Sequence, residues 1–159
     1  MKKLKVILYM ASVVALVSAA SSQPVVVNPE SAVSTVLLKT EKSWDGVRYA
    51  AYPAGQPEIT VLKFIIPAHT TIPWHTHPMP NAAYVVSGTL EVENADGSRH
   101  RTLKAGDVLP EMVHAVHHGK TGDQPVELIV FYAGVKGQAT AIAAPAPENL
   151  TKPHADLRP

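Results

Sequence analysis

The sequence has no cysteine. Disulfides, thiolate ligands and a thiol nucleophile are thereby excluded, and any metal site has to be built from histidine, carboxylate or amide side chains. It has no long basic run either. With 14 Lys and Arg against 13 Asp and Glu, it lacks the positive footprint of a nucleic-acid binder, so no nucleic-acid partner is expected. No segment sustains the 3.6-residue apolar period of a helix, and no internal repeat is long enough to build a second domain. The apolar run over residues 6–17 is too short for a membrane span.

That run reads instead as an export signal. Lys2, Lys3 and Lys5 precede it, and Ser18-Ala19-Ala20-Ser21-Ser22 follows with the small residues that signal peptidase accepts. Cleavage between Ala19 and Ser22 assigns residues 1–22 to the signal and predicts a periplasmic or secreted protein with no stable membrane anchor. About 139 residues remain, enough for one domain with a real core. Loss of the three lysines brings the balance to 11 basic against 13 acidic residues, close to neutral.

What the sequence does have is strand pattern and turns. Residues 32–39 alternate well enough for a strand. Residues 59–66, 82–86, 89–93 and 126–132 are rich in β-branched and apolar residues, and residues 108–116 read as extended. Turn signals recur about every ten residues: Trp44-Asp45-Gly46, Pro53-Ala54-Gly55, Ser87-Gly88, Asn94-Ala95-Asp96-Gly97 and Ala105-Gly106-Asp107. This is the pattern of an all-β sandwich or barrel. The domain is assigned to residues 33–136, and the Ala- and Pro-rich residues 137–159 to a flexible tail.

The stretch Pro73-Trp74-His75-Thr76-His77-Pro78 carries the chemistry. In a strand, residues i and i+2 share a face, so His75 and His77 can aim at one point while Trp74 and Thr76 face away. A metal held there needs a further ligand from a distant strand, and His114, His117 and His118 are the candidates. Glu111 has the same parity as His117 and can serve as general acid or base beside a metal.

The residues resemble the motifs of the cupin family, small β-barrels of the jelly-roll type. The first cupin motif maps onto His69, His75, His77, Asn81 and Gly88. The second maps onto Gly106 and His117, eleven positions apart. The resemblance spans about residues 37–134, and the wording looks like that of small exported bacterial cupins. It implies an all-β, single jelly-roll barrel and one divalent metal ion, with Zn, Fe, Cu, Ni and Mn not distinguished. The implied ligands are His75, His77 and His117, with His114 as the alternative to His117. It also implies a small-molecule ligand and pairing into a homodimer.

Two positions depart from the family pattern. His69 stands for the opening glycine. Asn81 stands for the glutamate ligand, and as a fourth ligand it would leave a divalent ion near +2 instead of +1. Three functions follow as expectations: a metal-dependent enzyme of dioxygenase, hydrolase or isomerase type, an exported binder of a small ligand or metal without turnover, and a barrel whose site has lost its metal.

Overall fold

The computed structural model describes residues 32–148. The expected signal, residues 1–22, and residues 149–159 of the expected tail lie outside them. The chain divides into two units after Thr35. Of the first, only residues 32–35 are described, and they are exposed without regular structure. The second carries the barrel.

Nine strands occur among the described residues: β1 (Pro57–Ile66), β2 (Thr71–Thr76), β3 (Asn81–Ser87), β4 (Thr89–Asn94), β5 (His100–Lys104), β6 (Val108–Pro110), β7 (His117–Thr121), β8 (Val126–Val135) and β9 (Ile142–Ala143). They form two antiparallel sheets, ordered β1-β8-β3-β6 and β5-β4-β7-β2-β9. The expected all-β jelly roll is the observed one.

Alternation decides which side chains enter the core. On β8, Val126, Leu128, Val130 and Tyr132 are buried, while Glu127 and Phe131 point outward. Val85 on β3 and Leu109 on β6 are fully enclosed. Burying each of these aliphatic side chains contributes roughly 1.5–3 kcal/mol. On the outer face of β1, the alternate residues Ile59, Val61 and Ile65 remain exposed, and Lys63 pairs with Glu127 at 2.7 Å. Gly88 alone joins β3 to β4, at φ 82°, where an added Cβ would run into the backbone at Pro125 and Val126.

The structure differs from the sequence reading at three places. Residues 32–39 form no strand: Val33, Val36 and Leu37 are exposed, and no edge among the described residues pairs with them. Alternation marks a strand only where something pairs with it. Residues 108–116 are extended only as far as Pro110. Beyond it the chain turns, His114 takes φ 58°, and Val113 makes an isolated parallel bridge with His77. Finally, residues 138–144 of the expected tail lie against the barrel. Ile142 and Ala143 extend the five-stranded sheet by pairing with Thr76 and His75, and the amide of Ala144 donates to the carbonyl of Trp74. Residues this poor in β-propensity gain their order from an open sheet edge, which composition does not reveal.

Candidate metal centre

His75 on β2 lies directly opposite His117 on β7. Opposed residues of an antiparallel pair carry their side chains on one face, about 5 Å apart. His77 follows just past the end of β2. The three rings converge: their centroids are 4.5 Å (His75–His117), 4.9 Å (His75–His77) and 5.1 Å (His77–His117) apart. One ring nitrogen from each lies within 4.8 Å of the others. His77 and His117 are buried, and His75 is half-buried.

Each ring is held by a backbone carbonyl. Nδ1 of His75 donates to the carbonyl of Pro73 at 2.8 Å, Nδ1 of His77 to Thr140 at 2.7 Å, and Nδ1 of His117 to Ala115 at 2.9 Å. A ring that donates through Nδ1 keeps its lone pair on Nε2, so the tautomer is set for ligation by Nε2. Carbonyl-tethered imidazoles with free Nε2 atoms converging in a buried place suit a divalent transition metal, which accepts neutral nitrogen donors. The residues present therefore fit a metal ion.

Glu111 lies beside His117 at the edge of the cluster. Its side chain is only 12% exposed, and its Oε2 lies 3.3 Å from Nε2 of His117. The two atoms are not aligned as a hydrogen bond, and neither has another partner. Burial alone would raise the carboxyl, but His117 and then His77 and His75 outweigh it and hold Glu111 below the usual carboxylate range. Burial pulls His117 down, yet Glu111 outweighs it and leaves the imidazole raised. Burial dominates at His75 and His77, which are both lowered from 6.5.

These opposed shifts give the metal-free protein a defined pH profile. Between their folded pKa values and 6.5, His75 and His77 bind fewer protons in the fold than in the unfolded chain, so their effect weakens the fold as pH drops below 6.5. His117 acts in the other sense: its contribution is complete below 6.5 and is lost as pH rises through its raised value. Glu111 contributes above 4.5 and loses that contribution as pH falls through its lowered value. Thermal unfolding of chelator-treated protein is thus expected to show greatest stability near pH 6.5. Glu111→Gln should flatten the alkaline limb. A profile that rises steadily from pH 5 to 9 would contradict this assignment.

Above the cluster lies a cavity of about 350 Å³. Phe64, Ile72, Leu90, Val92 and Leu128 supply apolar wall, and His75, His77, Glu111 and His117 form its polar end. Among the described residues, no Lys or Arg lines it. Trp74 stacks on His118 with 3.9 Å between centroids, and both reach the cavity. Trp74 was expected to face away from His75, but a register shift in β2 between Ile72 and His75 breaks the alternation. Tyr132 also lines the cavity, its phenol pushed up to about 12 by burial and then by Glu111, so it stays protonated.

Other candidate residues fall elsewhere. His114 is not part of the histidine cluster: at φ 58° it lines a separate depression with Asp45 and Tyr49, and its amide donates to the carbonyl of His77. His69 does adopt the positive φ, 55°, of the glycine it replaces. Asn81 is buried. Its Nδ2 donates to the carbonyl of Met79 at 3.2 Å, its Oδ1 has no partner, and it does not line the cavity. Sequence reasoning missed Thr140, which orients His77, and Ala141 and Ala143, which close one side of the cavity. Only their nearness to a sheet edge marks them, and no motif carries that signal.

No curated protein matches the sequence. The cupin domain family matches residues 62–132. Among solved structures, the chain is similar to the DMSP lyase DddQ of Ruegeria pomeroyi DSS-3, with 24% identity and a TM-score of 0.49 over 57% of this chain and 44% of that one. A protein with a double-stranded β-helix domain from Klebsiella pneumoniae matches at 23% identity and TM-score 0.47, covering 60% of this chain and 85% of that one. A cupin-like protein of Thermotoga maritima matches at 19% identity and TM-score 0.47, over 55% and 65%. The chain spans less than half the length of the lyase. The family match runs from β1 into β8 and contains His75, His77, Glu111 and His117, so over residues 62–132 the chain is similar to the cupin domain.

Proposed function

We propose that His75, His77 and His117 hold one divalent metal ion, and that the protein acts on a small, largely apolar molecule in the cavity beside it. The carrying observation is the set of three carbonyl-tethered rings whose free Nε2 atoms converge at the polar end of that cavity. When bound, the ion supplies Lewis-acid polarisation of an oxygen on the molecule or, if it is redox-active, a route to oxygen chemistry. The chain's own residues do the rest. The tethers orient the imidazoles, and the apolar wall excludes water and selects for hydrocarbon surface. With no Lys or Arg among the described residues of the wall, they offer no offset for charge on a ligand far from the metal, so polyanions are disfavoured. The Tyr132 hydroxyl remains a proton donor for a polar atom of the ligand. The same reading places the protein outside the cytoplasm, on the strength of the expected signal at residues 1–22.

A second reading, capture without turnover, is favoured by the shortage of proton-transfer groups in the wall beyond Glu111, the histidines and Tyr132. Elemental mass spectrometry of tag-free protein is the first test. About one equivalent of a single metal per chain is the expected result, and no metal even after reloading would defeat the proposal. Isothermal titration of the loaded protein with small neutral aromatics and with citrate would check the ligand class, binding being expected only from the former.

A further inference from the structure

We infer that the carboxylate of this metal site has moved from position 81 on β3 to Glu111 at the end of β6, so that the donor set is three histidines and Glu111. This rests on the proposed metal site and adds to it. β6 pairs with β3 in the register Ala82↔Pro110, which sets residue 111 opposite residue 81. The amide of Glu111 donates to the carbonyl of Asn81 at 3.0 Å. Opposed positions of an antiparallel pair share a face, so a carboxylate at either one reaches nearly the same point.

The side chains are disposed accordingly. Glu111 lines the cavity with the three histidines and Asn81 does not. Glu111 Oε2 and His117 Nε2 are 3.3 Å apart, buried and without partners. A settled ion pair closes to about 2.7–2.9 Å and aligns. Two donors on one tetrahedral ion, with bonds of about 2.0–2.1 Å, stand about 3.3 Å apart, and the carboxylate, which lies farther from His75 and His77 than from His117, would swing toward them to complete the set. The backbone of Glu111 is fixed on both sides: its amide is bound to Asn81, and its carbonyl accepts from the Tyr49 hydroxyl at 2.8 Å. With Glu111 as a ligand, three neutral imidazoles and one carboxylate leave a divalent ion near +1. The charge that the amide at position 81 cannot offset is restored from the neighbouring strand.

The test compares the parent with Glu111→Gln, Asn81→Glu and the double exchange, measuring Zn²⁺ affinity by chelator competition. Glu111→Gln should weaken binding by about 100-fold or more, and adding Asn81→Glu should recover most of that loss. Unchanged affinity in Glu111→Gln beside a parent that binds one equivalent would overturn this inference and leave the histidine site standing. Weakening that the exchange does not repair would overturn it too, because Glu111 would then act only through His117. A parent that binds no metal would remove both readings. X-ray absorption of the Co²⁺-loaded parent needs no variant. Imidazole plus carboxylate scattering supports the inference, and imidazole with water or amide alone defeats it.

Discussion

Replacing His75 and His77 together by alanine is expected to reduce bound metal from about one equivalent to background, with an affinity loss of about a thousandfold or more. Two of the three converging nitrogens vanish, and His117 with Glu111 cannot hold an ion alone. The fold should survive, because these rings sit at the cavity and not among the enclosed aliphatic side chains. Metal-free Tm should stay within a few degrees of the parent, and the acid-side loss of stability below pH 6.5 should shrink, since both lowered imidazoles are gone. Elemental analysis and thermal unfolding on the same preparations read both effects. Full metal retention by this variant would show that the ion is held elsewhere.

The largest effect on stability is expected at Gly88. A Cβ placed there would meet the carbonyl oxygen of Pro125 at 2.3 Å and Cα of Val126 at 3.0 Å, while φ is already 82°. Relief requires moving backbone, because neither contact is the end of a flexible side chain. Gly88→Ala should therefore cost about 3 kcal/mol or more. Gly106→Ala is the control: φ is 94° but nothing lies within 4 Å of the added carbon, so only the conformational penalty of about 1–2 kcal/mol applies. Urea unfolding of both variants separates strain from collision. Equal losses would mean that the β3–β4 connection yields freely.

The sequence made some of this legible because the physics was local. The His75-x-His77 spacing, the single-residue connection at Gly88 and the apolar alternation of β1, β3, β4 and β8 are properties of consecutive residues. His117 needed the family spacing, since nothing near it distinguishes it from His114 or His118. What could not be read depends on partners far along the chain. Trp74 joins the cavity through a register shift that its own strand does not announce. Glu111 reaches the histidines although the strand assumed to carry it stops at Pro110. Residues 32–39 alternate but meet no edge among the described residues, whereas Ile142 and Ala143 meet an edge with almost no pattern at all.

The hydrogen bond from His77 to Thr140 spans 63 residues, and it orders events in the life of the chain. During synthesis, His75, His77 and His117 all emerge before the carbonyl that fixes the second of them. Until residue 140 has been made and has docked, His77 is free to choose either tautomer and a range of orientations. Metal taken up before that point would meet a looser site, and metal taken up afterwards a finished one. On the proposed metal reading, the finished geometry of the centre therefore requires residue 140 to be in place.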